Sequence, residues 1–330
     1  MVANNRIGER FLLHSLCLFL CSAIPLNIFA SEEGPVAWLE RMQHAIVALN
    51  YKGVLVYLHG DQIETMQLLH IHSDGREREH LLSLNGELRE VFRDGESLLC
   101  ILPGKTRGSL REHRGHGIRS FRSFRVERLA SYYQFELNDG NERVAGRSVQ
   151  RLRIEPRDHY RYGIDLYLDR DHALPLRTLL RSGQGNTLSQ MMFVQIEFIT
   201  PSEEILQHFT ESNLRDRGLR EEQIRPYSAA DSDWNFGQLP AGFEPWLHKP
   251  RSGENAERGV EQIVLSDGLA TLSLYLEHND DEGLQGHSTV GAVNAYGLTL
   301  GRYQVTAVGE VPKATVRAVA QAVTLRRGAR

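Results

Sequence analysis

The feature that most constrains this chain is a series of short polar turn signals, each set between apolar segments. Ser73-Asp-Gly-Arg76, Leu84-Asn-Gly-Glu87, Arg93-Asp-Gly-Glu96, Asp139-Gly-Asn141 and Asp169-Arg-Asp171 punctuate the apolar runs 90–92, 98–102, 149–154, 164–168 and 191–199. An Asp-Gly or Asn-Gly pair accepts the positive-φ turn that matches the twist of two antiparallel strands. The segments therefore read as successive hairpins, and their meander describes a large antiparallel sheet. A sheet of this length can curl into a half-barrel around an apolar cavity. One helix precedes it. Over residues 35–49, Trp38, Leu39, Met42, Ala45, Ile46 and Leu49 recur at helical spacing, with Glu40, Arg41, Gln43 and His44 on the other side. Gly53 closes that helix, and residues 54–58 begin the first strand.

A region of different character follows. Residues 202–233 are charged and interrupted, with Glu203, Glu204, Arg215, Asp216, Arg217, Arg220, Glu221, Glu222 and then Pro226, and read as a connector that is helical around Ile205-Leu206. From Trp234 a smaller unit begins, with strands expected over 262–265, 270–276, 289–295 and 298–308. Leu265-Ser-Asp-Gly-Leu269 and Ala295-Tyr-Gly-Leu298 are its expected hairpin turns, and residues 314–323 its closing helix after Val311-Pro312. The expected fold class is mainly β, of the α+β kind. Its divisions are a leader over 1–30, a first domain over 31–201, a linker over 202–231 and a smaller α+β domain over 232–330.

The leader sets the compartment. Arg6 and Arg10 give a cationic start, residues 11–29 carry no charge, and Ala30 is followed by Ser31-Glu32-Glu33. That is the pattern of a secretory signal, with Ala30 and Ser31 as the junction. A membrane anchor would need roughly 20 uninterrupted apolar residues, and Pro25 and Asn27 break the run. Leu16 before Cys17 and Leu20 before Cys21 do not make a lipoprotein site. The exported chain then keeps only Cys100, which excludes an intramolecular disulfide and a thiolate metal cage. Within Ser97-Leu-Leu-Cys-Ile-Leu102 it reads as a small buried hydrophobe.

Catalytic motifs are missing. There is no H-E-x-x-H, no phosphate-cradling Walker loop and no dinucleotide fingerprint. Gly286-His-Ser-Thr-Val-Gly291 has one residue too many for a nucleophile elbow and lies between strands. His70 and His72 would share one strand face, and His80 could return across the hairpin to hold a metal with them. No carboxylate or cysteine completes that shell, so a polar sheet face is the preferred reading. Neither a metal nor a cofactor is assigned, and the chain reads as a binding protein rather than an enzyme. Without Arg6, Arg10 and Glu9 the exported chain carries 36 basic and 41 acidic residues, a net of −5. This balance argues against nucleic acid as a partner, since such binding rests on phosphate neutralisation.

Against that balance stands one basic run. Between Lys105 and Arg128 there are eight basic residues and two acidic ones, a local +6. Arg107, Arg111, Arg114, Arg119, Arg122 and Arg125 are the candidate contacts for an anionic ligand or partner, because guanidinium groups pair bidentately with carboxylate and phosphate. A solvated loop is the competing reading of the same residues.

Motifs spread over the whole exported chain carry a resemblance. They are Leu49-Asn-Tyr51, Arg89-Glu-Val91, Arg128-Leu129, Tyr132-Tyr-Gln-Phe135, Arg143-Val-Ala-Gly-Arg147 and Tyr160-Arg-Tyr162. Leu166-Tyr-Leu-Asp169, Leu174-Pro-Leu-Arg177, Trp234, Leu239-Pro-Ala-Gly-Phe243, Ser266-Asp-Gly-Leu269 and Val308-Gly-Glu-Val-Pro312 follow in order. In these the chain resembles the RseB/MucB family of periplasmic sigma-E regulators. The resemblance implies a LolA/LolB-like curved antiparallel sheet covered by helices, followed by a smaller C-terminal sheet with a helix. It also implies a periplasmic location and a partner, the periplasmic region of a membrane-bound anti-sigma factor of the RseA/MucA type. That partner would be shielded from regulated proteolysis until lipid or lipopolysaccharide releases the block. A lipid or lipoprotein carrier of the LolA/LolB type is the alternative, and a homo-oligomer is compatible with either. The family has no catalytic residues to carry over.

Overall fold

The computed structural model describes residues 33–86, 88–95, 97–101, 124–138, 140–210, 220–221, 225–250, 259–279 and 283–326, with the side chains of 97–101, 220–221 and 231 outside the described set. It begins with helix α1, Pro35–Ala48, which opens on a proline at its first position, where no backbone N–H is needed. Leu49 leaves the helix with φ −79 and ψ 146, already extended, and feeds the first strand. The stripe expected from the spacing is the stripe that is buried: Trp38, Leu39, Met42, Ala45 and Ile46.

The first sheet contains β1 (Tyr51–His59), β2 (Gln62–Ser73), β3 (Arg76–Ser83), β4 (Glu90–Asp94), β5 (Ser97–Ile101), β6 (Tyr133–Asn138), β7 (Arg143–Val144), β8 (Arg147–Pro156), β9 (Gly163–Asp169), β10 (Pro175–Arg181), β11 (Thr187–Phe198) and β12 (Arg220–Glu221). Its spatial order is β12-β5-β4-β3-β2-β1-β11-β10-β9-β8-β6, with β7 paired to β8. The meander predicted from the turn signals is therefore present in two runs, joined where β11 returns to lie beside β1. A four-residue helix, α2 (Val126–Leu129), packs near α1 on the same face. Tyr51, Leu55 and Tyr57 of β1 alternate onto that face and meet Leu152, Leu166, Leu180 and Phe193 in one core with the α1 stripe. Each such side chain contributes about 1.5–3 kcal/mol on burial.

The opposite face carries a smaller cluster of Ile71, Phe92 and Phe209. It is covered by helix α3 (Glu203–Gln207), which the Ser202 hydroxyl caps by accepting from the Ile205 N–H. The connector does more than join. It gives β12 to the first sheet, paired with β5, and β13 (Arg225–Pro226) to the second, paired with β15 (Glu244–Lys249).

The second sheet runs β13-β15-β16-β17-β20-β19-β18, from β15 (Glu244–Lys249), β16 (Glu261–Ser266), β17 (Thr271–His278), β18 (Gly286–Val290), β19 (Val293–Leu300) and β20 (Tyr303–Gly309). Helix α4 (Lys313–Ala322) lies on one face, burying Val316, Val319 and Ala320 against Leu274, Val305 and Ala307. The short strands β14 (Trp234–Phe236) and β21 (Val323–Leu325) pair beside it.

Three sequence expectations need correction here. Gly53 does not close α1, which ends at Ala48, but lies within β1, where a Cβ would stand 2.5 Å from the Gln195 carbonyl oxygen. The strands expected over 289–295 and 298–308 are instead β18, β19 and β20, with turns at Gly291 and Gly301, where φ is +58 and +59. Ala295-Tyr-Gly-Leu298 is not a turn but the middle of β19. Gly297 is there because the chain at Leu284 crosses directly over it. A Cβ at that position would lie 2.0 Å from the Leu284 carbonyl oxygen. A glycine that serves close approach has the same local signature as a glycine that serves a turn.

Candidate functional site

Three turns at one end of the second sheet reach into the first half of the molecule. They are the β16–β17 turn at Asp267–Leu269, the β18–β19 turn at Gly291–Ala292 and the β20–α4 segment at Glu310–Pro312. Leu269 and Ala292, although they belong to these turns, are buried members of the first core. An apolar turn residue fully withdrawn from water is unusual, and here it plugs one half into the other.

Around those plugs lies a polar seam centred on Arg161 and Asp267, both with fully buried side chains. Asp267 accepts from Arg161 Nε, from the Tyr133 hydroxyl at 2.8 Å and from the backbone N–H groups of Leu269 at 2.9 Å and Ala270 at 2.8 Å. All of its acceptor capacity is thus used, which is what a buried carboxylate requires. Arg161 in turn donates through Nη1 to Asp158 and through Nη2 to the carbonyl of Ala241. Its guanidinium carbon lies 4.8 Å from the ring centre of Tyr132, 5.0 Å from that of Phe243 and 5.5 Å from that of Tyr133, an aromatic cage suited to a cation.

The electrostatics hold both charges in place. Burial is the largest single influence and works against the Arg161 cation, but the charge and hydrogen bond of Asp267, together with Tyr133 and Asp158, outweigh it and the Arg161 pKa ends above the ordinary arginine value. Burial, reinforced by the Asp267 charge, pushes the Tyr133 phenol well above the usual tyrosine range, so it remains a neutral donor. Gly242, at φ +86, lets the second-half backbone close on this cluster. A Cβ there would stand 2.6 Å from the Tyr132 ring.

Further contacts extend the seam in both directions. The Tyr57 hydroxyl donates to Glu310, Asn294 Nδ2 donates to the Tyr162 hydroxyl at 2.9 Å, and the Thr315 hydroxyl donates to the Tyr160 carbonyl at 2.6 Å. Arg128 reaches Glu244 at 2.6 Å across the same boundary, and that contact raises the Arg128 pKa.

Of the residues singled out from the sequence, Arg107, Arg111, Arg114, Arg119 and Arg122 lie outside the described residues, as do Ala30 and Ser31. Arg125 is exposed, between buried Phe124 and the start of α2. The three histidines weighed as a metal site are not brought together. The two-residue turn at Asp74-Gly75 pairs His70 with Glu79 and Leu69 with His80, which puts His70 and His80 on opposite faces of the sheet. His70 stacks on Tyr51 at 5.0 Å with its ring nitrogens near the Leu49 carbonyl and Glu77, whereas His80 stacks on Phe92 at 4.0 Å. Asp169, Asp171 and His172 come close enough to suggest a metal, but the Arg147 guanidinium already contacts all three. Cys100 lies in β5 opposite Val91.

Sequence reasoning alone does not reveal the seam as a site, although its parts lie among the motifs named above. Tyr132-Tyr-Gln-Phe135, Tyr160-Arg-Tyr162, Leu239-Pro-Ala-Gly-Phe243, Ser266-Asp-Gly-Leu269 and Val308-Gly-Glu-Val-Pro312 carry the resemblance, and all five supply seam residues. The signal was there in the residue types. Arg, Asp and Tyr within apolar motifs ask for partners.

Comparison with known proteins bears on the resemblance that these motifs carry. The family model for the MucB/RseB N-terminal domain matches residues 34–214, and that for the MucB/RseB C-terminal domain matches residues 228–324. The sigma factor AlgU regulatory protein MucB of Pseudomonas aeruginosa is 32% identical over 324 residues, covering 94% of this chain and 96% of MucB. The sigma-E factor regulatory protein RseB of Escherichia coli K12 is 24% identical over 287 residues, covering 86% and 89%. Among solved structures, the MucA/MucB complex of Pseudomonas aeruginosa contains a chain that aligns with a TM-score of 0.67 at 28% identity, covering 89% of this chain and 99% of that one. A crystal structure of MucB alone aligns with a TM-score of 0.67 at 29% identity, covering 88% and 98%.

Proposed function

The chain belongs to the MucB/RseB family, and from that membership we propose that it is a periplasmic negative regulator of sigma-E-type envelope stress signalling. Its partner in this reading is the periplasmic region of a membrane-bound anti-sigma factor, just as MucB has been crystallised in complex with MucA(peri). Binding keeps that region from regulated proteolysis, and lipid or lipopolysaccharide ends the protection. The leader over residues 1–30 exports the chain and is removed between Ala30 and Ser31.

The observation that carries the proposal is the seam. Motifs far apart in the chain meet at a buried ion pair that fixes the two sheets against each other. A regulator that recognises one extended partner with both halves gains from such preorganisation, since less freedom remains to be lost on binding. A simple lipid carrier needs no second sheet locked to the first. The arginines at 107, 111, 114, 119, 122 and 125 are proposed to meet the anionic groups of the releasing lipid.

The test is capture of the chain from residue 31 onward by the immobilised periplasmic segment of the membrane anti-sigma factor from the same cell. Protection of that segment from its first protease is followed in parallel. Capture and protection are expected; failure of both would sink the regulator reading. Replacing Arg111, Arg114 and Arg119 by Glu should weaken release by lipopolysaccharide vesicles while leaving capture intact.

A further inference from the structure

On the face of the first sheet opposite α1, the connector is held by a row of titratable side chains. His80 of β3 has its Nε2 2.8 Å from Glu90 Oε1 of β4 and its Nδ1 3.0 Å from Nε2 of His208, just beyond α3. The His80 ring stacks on Phe92, and Phe209, the next connector residue, packs edge-on against the same ring at 6.1 Å. The His80 and Glu90 side chains are only 11% and 9% exposed, and His208 is half-buried. Among the described residues the other charges on this face are Arg76 and Arg78, both within 3.5 Å of Asp94, the exposed pair Lys52 and Glu197 on the neighbouring strands β1 and β11, and the exposed Glu203 and Glu204 of α3.

Two ring nitrogens 3.0 Å apart can share one hydrogen but not hold two. With both imidazoles neutral, His208 Nε2–H donates to His80 Nδ1 while His80 Nε2–H donates to Glu90. One added proton can be accommodated within the pair, because the Glu90 carboxylate beside His80 balances a single charge. A second added proton leaves N–H facing N–H and two cations side by side in a poorly hydrated place, and the contact has to open.

We propose that His80 and His208 form an acid-released latch on the connector: while they share a proton they dock residues 203–209 on β2–β4, and when both are charged that segment comes off. The sign follows from the contact. Docking is full at neutral pH and is lost as pH falls below the ordinary histidine range. Because the connector continues into β12 of the first sheet and β13 of the second, release loosens the strand link between the halves without touching the seam.

Hydrogen exchange of the full exported chain, corrected for intrinsic rates, tests this between pH 7.5 and pH 4.5. The amides of Leu206, His208, Phe209 and Thr210, which donate within the connector turn, are expected to lose at least tenfold protection, while those of β9 keep theirs. His208→Gln still offers an N–H to His80 but cannot gain a proton, so its connector should stay protected at pH 4.5. Equal protection at both pH values in the wild-type chain, or the same acid response in His208→Gln, overturns the latch. Nuclear magnetic resonance of the two imidazoles in the unaltered chain gives a reading free of folding effects: coupled titration is expected, and two independent ordinary titrations overturn it as well.

Discussion

Replacing Asp267 by Asn tests the seam with almost no change in shape. The carboxylate accepts four hydrogen bonds, two from the first half and two from the backbone of its own turn. An Asn offers one oxygen and one NH2, so it can serve either the Arg161–Tyr133 side or the Leu269–Ala270 side, and the other side meets a donor. Two buried donors are then unsatisfied, each costing about 1–3 kcal/mol. Arg161 also loses its buried countercharge; a broken buried pair costs about 3–5 kcal/mol, and the Asp158 contact, whose side chain is 29% exposed, moderates this. These two costs overlap, so the expected loss is about 4 kcal/mol. With an m-value of about 3 kcal/mol/M for a chain of this size, the urea midpoint should fall by about 1 M. Tryptophan fluorescence can locate the loss, because Trp38 sits in the first core and Trp234 in the second. Versions that keep only one of the two, with the exposed Trp246 replaced by Phe in both, should unfold together in the parent and separately in Asp267→Asn. The double variant Asp267→Asn with Arg161→Met should recover part of the loss, since no buried charge is left alone. A midpoint change below about 0.3 M, with coincident transitions, would mean that the ion pair does not couple the halves.

Three other outcomes follow from the same reasoning. Gly242→Val should destabilise the fold by about 2–4 kcal/mol, because the new Cβ meets the Tyr132 ring at 2.6 Å in a backbone conformation valine resists; a silent substitution in thermal melts would contradict the close packing. Asp169 is buried, which alone would raise its pKa, but hydrogen bonds from Arg147 and His172 hold it below the ordinary aspartate value. Its contribution is therefore present above the ordinary aspartate pKa and lost as pH falls through the lowered one, so Arg147→Met should start acid unfolding at higher pH in a circular-dichroism titration. Asp165 is fully buried beneath Arg151, Arg153 and Arg181, and Asp165→Asn, which leaves three guanidinium groups facing one another, should destabilise by about 3 kcal/mol in urea titration; Arg128→Ala, at a half-exposed pair, should change stability by less than about 1 kcal/mol.

What the sequence by itself determined is what short range decides. Helix α1 is set by one apolar stripe and a leading proline, the β2–β3 hairpin by Asp74 and Gly75, both at positive φ, and the β4–β5 hairpin by Gly95 at positive φ. The hairpin turn even fixes register, so the separation of His70 from His80 was available from a residue count across Asp74-Gly75. The order of motifs along the chain was enough to suggest the family. Tertiary structure alone decided the return of β11 to β1, the role of Gly297 under Leu284 and the sharing of the connector between two sheets. It also decided the site. Arg161 and Asp267 stand 106 residues apart, and no periodicity or turn signal links positions at that distance. The physical reason is that burial creates the demand. In an unfolded chain each of these charges is satisfied by water, and only when two cores close over them must arginine, aspartate and tyrosine find one another.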